Sequence, residues 1–243
     1  MSKIYVVGIG PGDEDNITIK AHKVLKSCDV IIGYKTYTDL VRDRYPDKEI
    51  IESTMRSEID RCRTCIDQAR SGKTVALICS GDAGIYGMAS PMLEIAAEEG
   101  FDDVEIVPGV TAALSGSAAL GAAIGHDMCT ISLSDLLTPW DVIEERIRCA
   151  AKADLCIAIY NPASKTRIDN LRKACTVLRE ILPDDRVCAI VRNIGRDGSS
   201  EKICTLGELE NEKVDMLTTV FIGNRMTYEK NGRMITPRGY RLQ

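Results

Sequence analysis

The sequence predicts an α/β protein made of two domains. Short apolar runs bounded by turn residues alternate with helix-like periodic stretches, which is typical of a parallel sheet covered by helices. Glycine-rich loops follow several of these runs, and further strands crowd together late in the chain. The alternation, the loops and the late strands together indicate two α/β domains of about equal size.

The first half of the chain favours a parallel sheet. Strands are expected near residues 3–8, 29–33, 49–52, 74–79 and 104–107, and helices over 18–27, 57–70 and 91–99, the last closed by Gly100. The Ala-, Gly- and Ser-rich segment after Pro108-Gly109 permits close helix packing or a close approach of backbone to a ligand, and we expect a helix that leads into a connection near Ile124–His126. We therefore expect an N-terminal domain over 1–124 and a C-terminal domain over 125–243.

The second half indicates a mixed sheet. Strands are expected near residues 128–132, 155–159, 186–192, 201–205 and 218–222, with helices near 140–151 and 166–181. The short break between residues 192 and 201 favours a hairpin, which requires antiparallel pairing. The polar tail from Tyr228 to Gln243 is interpreted as a closing hairpin or a loose end.

Composition narrows the class of protein. The net charge of -5 argues against a general nucleic-acid binder. No apolar run of roughly 18 residues occurs, and the N-terminus enters a strand without signal-peptide features, so we expect a cytoplasmic protein without a membrane segment. The ten cysteines lie singly in apolar contexts, except for Cys62 and Cys65, the only CxxC. Core packing in a reducing compartment is the interpretation, and neither a metal nor an iron–sulfur site is predicted.

The first candidate for chemistry is the loop Gly8-Ile9-Gly10-Pro11-Gly12-Asp13, which directly follows an apolar strand. Asp13 replaces the third glycine of a dinucleotide fingerprint and would repel a pyrophosphate. A nicotinamide or flavin site is therefore disfavoured, and a purely structural turn remains an alternative to a ligand-binding loop.

Three more loops follow predicted strands: SGDAGIYG at 80–87, PGVTAA at 108–113 and YNPASK at 160–165. Ligands of open α/β sheets gather beyond the carboxyl ends of the strands. Four such loops predict a ligand cleft between the domains, although each loop alone could be an ordinary turn.

These loops, in this order and over nearly the whole chain, resemble the tetrapyrrole methylase family. The segments IGYKTY at 32–37, GHD at 125–127, ISLSDLLTPW at 131–140, YNP at 160–162 and NIGR at 193–196 resemble the branch that methylates carbon 17 of precorrin-3B or of its cobalt-containing counterpart in cobalamin biosynthesis. The resemblance implies two αβα domains with S-adenosylmethionine in the cleft between them, and a homodimer.

The resemblance also assigns cofactor contacts to seven positions: Pro11, Gly81, Asp82, Ile85, Thr111, Ala112 and Asn161. Whether the substrate contains cobalt stays open, with the many cysteines favouring an anaerobic, cobalt-dependent route. The alternatives are another corrin-ring methylase, a diphthine synthase, which IGYKTY and SLSDLLTPW disfavour, and a non-catalytic nucleotide-binding module.

Methyl transfer from a sulfonium is an in-line displacement, so the enzyme mainly holds two partners in attack geometry and needs no nucleophilic side chain. The chain accordingly has no GxSxG or HExxH motif and only two histidines, His22 and His126. Ring contraction, which the resemblance implies for the carbon-17 branch, requires proton transfers. Asp13, Tyr34 and His126 are the candidates for them, whereas His22 is expected to pack or to lie on the surface.

A tetrapyrrole carries many carboxylates, so its site should contain cations that form charge-assisted hydrogen bonds. Six cations lie in or beside the candidate loops: Lys35, Arg56, Lys165, Arg167, Arg192 and Arg196. A solvated surface charge is the alternative interpretation for each of them.

Overall fold

The computed structural model describes residues 2–54, 57–164 and 166–240. The chain divides into two units, Met1–Thr111 and Ala112–Gln243. The boundary expected from the sequence, between residues 124 and 125, lies downstream of this division. The reason is the helix that begins at Ala112, because its buried side chains Ala113 and Leu120 pack in the core of the second unit.

The first unit contains one five-stranded sheet. Its strands are β1 (Ile4–Gly8), β2 (Val30–Tyr34), β3 (Glu49–Ser53), β4 (Val75–Cys79) and β5 (Val104–Val107). They lie in the order β3-β2-β4-β1-β5, and every hydrogen-bonded pair is parallel. All five predicted strands are confirmed to within one residue at each end. Their carboxyl ends therefore share one edge of the sheet.

Helices cover both faces of this sheet. They are α1 (Ile19–Ser27), the single turn α2 (Lys35–Thr38), α3 (Glu58–Arg70) and α4 (Ala89–Glu98), with a 3₁₀ turn at Arg42–Arg44. Buried side chains of α3 and α4 share a core with Val6 and Leu77, whereas α1 packs with Val7 and Ile78. Neighbouring residues of one strand thus point to opposite faces, as strand geometry requires.

Residue types at the helix ends fit their positions. The Thr18 side chain accepts a hydrogen bond from the backbone N–H of Ala21 at 3.1 Å and caps the start of α1. Helix α3 begins with Glu58 and Asp60 in its first turn and ends with Arg70 in its last turn, which complements the helix dipole. The turn α2 is absent from the sequence prediction because four residues are too few to show a period.

The second unit contains a five-stranded and a three-stranded sheet. Its strands are β6 (Gly121–Ala122), β7 (Met128–Ser132), β8 (Cys156–Tyr160), β9 (Val187–Arg192), β10 (Ser200–Thr205), β11 (Thr218–Ile222), β12 (Tyr228–Lys230) and β13 (Arg233–Ile235). The larger sheet has the order β10-β9-β11-β8-β7, in which only β7 and β8 pair in parallel. The predicted mixed sheet is confirmed. Strands β7, β8 and β9 run in one direction and end at the same edge.

The tail forms the closing hairpin, β12 and β13, which pairs with β6. Asn231 and Gly232 connect its strands with φ values of 54° and 71°. Two positive φ values are characteristic of a tight hairpin turn, and Asn-Gly is the residue pair that adopts them most readily.

Helices again cover both faces of the larger sheet. They are α5 (Ala112–Leu120), α6 (Trp140–Lys152), α7 (Asn170–Arg179) and the short α8 (Leu206–Leu209). Helix α7 begins four residues later than predicted, because Ser164 and Arg167 exchange backbone hydrogen bonds of 3.2 Å in a tight turn ahead of it. Within the described residues, no helix is long and apolar enough to cross a membrane.

Gly116 explains why α5 is rich in small residues. A Cβ atom at this position would lie 2.7 Å from the ring of Phe221, which is fully buried in β11. Real Cβ contacts are longer, so only glycine allows the helix to approach the sheet this closely. The close packing expected for this segment is confirmed.

Replacing Gly116 with valine should therefore place a branched side chain against Phe221. Overpacking of this kind costs about 1–3 kcal/mol, so we expect G116V to lower the midpoint of thermal unfolding by several degrees in calorimetry. A118V, on an exposed position of the same helix, is the matched control, since it changes helix propensity by less than about 1 kcal/mol. Equal midpoints for the two variants would contradict the prediction.

Candidate active site

Three loops leave the first sheet at the carboxyl ends of β4, β1 and β5, which are neighbours in that order. They comprise residues 8–13, 80–87 and 108–111 and are called here the carboxyl-edge loops. Gly10 and Gly81 form an antiparallel bridge between the first two, with N···O distances of 3.1 Å and 2.7 Å. The loops are therefore joined by their backbones.

Glycine is required where these loops meet. A Cβ atom on Gly8 would lie 2.6 Å from the carbonyl oxygen of Gly81, and one on Gly109 would lie 2.1 Å from the same oxygen. Both distances are shorter than any normal contact, so a side chain at either position would separate the loops. Three glycines thus fix the spacing of the candidate site.

Asp82 joins the same loops through its carboxylate. One oxygen accepts hydrogen bonds from the backbone N–H groups of Gly84 at 2.8 Å and Ile85 at 3.2 Å. The other oxygen accepts from the N–H of Gly109 at 2.9 Å. The Asp82 carboxylate therefore holds its own loop and the loop after β5 together by hydrogen bonds to their backbone N–H groups. A direct contact between Asp82 and a ligand remains a prediction.

The other predicted residues of these loops differ in exposure. Pro11 is buried, Thr111 is half-buried, and Ile85 is 38% exposed. Tyr86 is exposed too and adopts a φ of 54°, a left-handed conformation that non-glycine residues rarely adopt. Strained residues cluster at functional sites. The turn at 84–86 is exposed, as is Pro108 in the loop after β5.

The charge of the loops is negative. Residues 8–13, 80–87 and 108–111 include Asp13 and Asp82 but no Lys, Arg or His. Asp13 accepts hydrogen bonds from the backbone N–H and the side-chain amide of Asn16, at 2.8 Å and 2.6 Å. Such loops attract a cationic ligand and repel a polyphosphate.

Tyr34 ends β2, the next strand along the same edge, and Lys35 follows it. The ring of Tyr34 packs edge-on against Tyr37 with centroids 5.4 Å apart. The Lys35 ammonium lies 2.9 Å from a carboxylate oxygen of Asp39, and this hydrogen bond raises the pKa of Lys35. The predicted cation is thus already paired with an acid of its own helix.

Arg61 is a cation that sequence reasoning missed. It is only 5% exposed, and it donates to the Ser53 hydroxyl at 2.5 Å, to the Thr54 carbonyl at 3.0 Å and to the Met88 sulfur at 3.5 Å. No ion pair among the described residues, which include every Asp and Glu of the chain, involves Arg61. The helical spacing of Arg61 from Cys65 and Ile66 could have placed it on the buried side of α3.

The second unit brings Asn161 and Arg167 together at the edge where β7 and β8 end. The Asn161 amide donates to Ser132 at 3.0 Å. The Arg167 guanidinium donates to Ser134 at 2.6 Å and lies 3.6 Å from the Asp135 carboxylate. These bonds hold the loop after β8 against the loop after β7, so both side chains have partners within the unit.

The remaining predicted cations have varied surroundings. Arg192 ends β9 at this same edge and forms an ion pair with Asp215 at 2.6 Å. Arg196 is half-buried, in a turn where its N–H donates to the Asn193 carbonyl at 2.9 Å. Arg56 and Lys165 lie outside the described residues.

His126 lies apart from Asn161 within the second unit. It precedes β7, whereas Asn161 follows β8, and because these strands are parallel the two residues lie at opposite edges of the sheet. The imidazole is exposed, and its Nδ1 accepts from the backbone N–H of Asp127 at 2.8 Å. His22 is also exposed and contacts the hydroxyl of Tyr45 at 2.9 Å, as expected for a packing role.

Ala112 begins α5. The next residue, Ala113, donates its N–H to the hydroxyl of Tyr160 at 2.8 Å, which satisfies one of the free donors at the helix start. The end of β8 and the start of α5 are thereby joined. Among the described residues, no group of three or more His, Cys, Asp or Glu side chains could hold a metal ion.

An anionic, glycine-lined edge on a parallel sheet, followed by a second α/β unit, is the arrangement in which α/β enzymes typically bind small ligands at the strand ends. The family model for the Tetrapyrrole (Corrin/Porphyrin) Methylases matches residues 3–210. The chain belongs to this family and is a methyltransferase.

Two curated relatives match over nearly the full chain. A probable cobalt-factor III C(17)-methyltransferase of Salmonella typhimurium is 45% identical, with 98% of this chain and all of that protein covered. A precorrin-3B C(17)-methyltransferase of Sinorhizobium is 38% identical over 98% of this chain and 96% of its own length. Some relatives are longer, and the chain spans 45% of the cobalt-factor III methyltransferase of Priestia megaterium.

Solved structures agree with this assignment. The crystal structure of the methyltransferase CobJ has a TM-score of 0.92 and 33% identity, covering 98% of this chain and all of that one. A uroporphyrin-III C-methyltransferase of Thermus thermophilus, with a TM-score of 0.70 and 21% identity, covers 91% of this chain and 97% of its own, and shows the fold alone. The predicted tetrapyrrole methylase fold is confirmed.

Replacing Asp82 with alanine should loosen the carboxyl-edge loops. Gly84 and Ile85 are exposed, so water replaces their acceptor, whereas the half-buried N–H of Gly109 loses its partner at a cost of about 1–3 kcal/mol. We expect a lower thermal midpoint and faster proteolysis near residues 84–86, with D82N intermediate because it keeps one acceptor oxygen. D102A, an exposed acid ahead of β5, is the control. Proteolysis as slow in D82A as in D102A would contradict the prediction.

Proposed function

We propose that this chain transfers the methyl group of S-adenosylmethionine to carbon 17 of cobalt-factor III and contracts the macrocycle in cobalamin biosynthesis. The observation that carries the proposal is the 45% identity over essentially the whole chain to a relative named for that reaction. The relative named for metal-free precorrin-3B is 38% identical, so the cobalt-containing substrate is favoured.

The carboxyl-edge loops suit S-adenosylmethionine, which supplies an electrophilic methyl group on a cationic sulfonium. Their negative charge matches a cation, and their glycines let the loop backbones pack against one another in a fixed arrangement. The Thermus thermophilus structure of the same fold was solved with S-adenosyl homocysteine. We assign contacts to Pro11, Gly81, Ile85 and Thr111 here, to Ala112 and Asn161 in the second unit, and to Asp82 chiefly the positioning of backbone.

Orientation is the main contribution of the chain to methyl transfer. Attack on a sulfonium methyl requires alignment, and rigid positioning supplies much of the rate enhancement. The Gly10–Gly81 bridge and the Asp82 carboxylate hold the first-unit loops in one arrangement. Lys35, Arg167, Arg192 and Arg196, with Arg56 and Lys165, remain our candidates for binding the substrate carboxylates.

Proton transfer during contraction is assigned to the same three candidates. Tyr34 and Asp13 lie at the carboxyl edge of the first unit, where the loops converge. His126 lies at the amino edge of β7 in the second unit. We therefore rank Tyr34 and Asp13 above His126 for this role.

The test is anaerobic incubation of the full chain with cobalt-factor III and methyl-labelled S-adenosylmethionine, followed by mass and absorption spectra of the tetrapyrrole. We expect the gain of one labelled methyl group and the spectrum of a contracted ring. Turnover of precorrin-3B alone would replace the cobalt assignment with the metal-free substrate. Tight binding of S-adenosylmethionine without methylation of either tetrapyrrole would contradict the proposal and favour a non-catalytic module.

Single variants D13N, Y34F and H126Q should separate methylation from contraction. A positioned proton donor or acceptor contributes about 100-fold to 10,000-fold, so loss of the responsible residue should slow contraction by that factor while the label is still incorporated. We expect this effect at Tyr34 or Asp13. Unchanged contraction in all three variants would show that none of them moves the proton.

We further propose that the chain forms a homodimer and acts in the cytoplasm. All ten cysteines are free, and eight of them are buried, which suits a reducing compartment. A mass of one chain by sedimentation equilibrium would contradict the dimer.

A further inference from the structure

Arg61 carries a buried charge that the protein itself does not neutralise. A guanidinium is always protonated, and a buried charge normally has an ionic partner because desolvation costs several kcal/mol per ion. The three atoms that accept hydrogen bonds from Arg61 are a hydroxyl, a carbonyl and a thioether, all of them uncharged. Arg61 therefore connects α3 to the end of β3 and to Met88 by hydrogen bonds, but none of these partners balances its charge.

The guanidinium also retains donors. Arginine has five N–H groups, of which Arg61 uses one on each nitrogen within the described residues. One N–H remains on each terminal nitrogen, Nη1 and Nη2. Remaining N–H groups of a guanidinium can donate charge-assisted hydrogen bonds to a carboxylate.

The position of Arg61 places these donors near the candidate site. Its contacts Ser53 and Thr54 end β3, and Met88 ends the loop that follows β4. Ser53 in turn donates to the carbonyl of Gly33 at 3.2 Å, just before Tyr34. Arg61 thus contacts the carboxyl end of β3 and Met88, the residue after the carboxyl-edge loop 80–87, and it is linked to β2 only through Ser53.

The Arg61 charge influences two buried cysteines nearby. Burial raises the pKa of Cys62 and of Cys79 to about 11, and in both cases the nearby Arg61 charge opposes that rise. The Asp82 carboxylate acts against Arg61 at Cys79, and Glu58 does so at Cys62, although neither acid pairs with Arg61.

We propose that Arg61 binds a carboxylate of a ligand held at the carboxyl edge of the first unit. The inference rests on the proposed function, whose two ligands both carry carboxylates: the methionine end of S-adenosylmethionine and the acidic side chains of the tetrapyrrole. The ligand supplies the anion that the protein lacks at this position.

The test compares R61M with R63M. Arg63 lies on the same helix, is 57% exposed and pairs with Glu99 at 3.5 Å, so it is a matched arginine without the buried charge. Methionine fills the space of Arg61 without a charge. The former partners of Arg61 are not left unsatisfied, because Thr54 is exposed to solvent and the Ser53 hydroxyl keeps its hydrogen bond to the Gly33 carbonyl. We expect R61M to unfold at a temperature no lower than R63M.

Ligand binding, in contrast to stability, should weaken in R61M. We expect either the Kd of S-adenosyl homocysteine by calorimetry or the KM of cobalt-factor III to rise by about 10-fold to 100-fold in R61M, the loss typical of charge-assisted hydrogen bonds. R61K, which keeps the charge but not the fork, should lie between R61M and the unmodified chain. The constant that rises identifies which ligand supplies the carboxylate.

Two results would overturn the inference. A lower midpoint or failure to fold in R61M would assign Arg61 to stability, and both constants within twofold of the unmodified chain would remove any role in binding. The unmodified chain is measured first, because a lack of turnover there contradicts the proposed function and this inference together. Normal turnover with unchanged constants in R61M contradicts the inference alone.

Discussion

The backbone contact among Gly8, Gly81 and Gly109 is the constraint on which the candidate site depends. Because no side chain fits at Gly8 or Gly109, the ends of β1, β4 and β5 approach one another more closely than strands with side chains at these positions could. Only at this spacing can one carboxylate, that of Asp82, reach backbone N–H groups of two loops. The shape of the loops therefore follows from glycine placement, and Asp82 then fixes it.

The second unit achieves a similar junction with side chains. Asn161 and Arg167 bind serines of the neighbouring loop, and the buried Asn170 donates to the carbonyl of Leu133 at 2.8 Å. Side-chain bonds of this kind can be exchanged for bonds to a ligand, whereas a backbone bridge cannot be exchanged without moving the strands. The loops of the first unit are thus held together by backbone, and those of the second unit by side chains.

The sequence predicted elements well and side-chain partners poorly. Strand positions could be predicted from short apolar runs, because a strand that is covered on both faces of its sheet is apolar along most of its length. All ten expected strands are present. The compact units divide at Thr111, ahead of the expected boundary, because α5 packs in the second core, where Gly116 contacts Phe221. The Ala-rich composition of a helix does not indicate which core that helix joins. The sequence does not predict the acids that pair with Lys35 and Arg192, since the choice of partner depends on loop geometry. The helical spacing of Arg61 places it on the buried face of α3. Charged residues are rarely buried, so this spacing alone did not lead to a predicted role.

The chemistry available to this chain is consistent with catalysis by orientation. Burial raises the pKa of Cys62, Cys79, Cys129 and Cys204 to about 11, so these thiols stay protonated near neutral pH and are poor nucleophiles. A sulfonium methyl already carries its leaving group, and the carbon that attacks it belongs to the substrate. What remains for the protein is to hold both partners in line, and that requires rigidity at the strand ends more than reactive side chains. Glycines that permit backbone bridging supply this rigidity, and for that reason the least reactive residues of the loops contribute most to the proposed reaction.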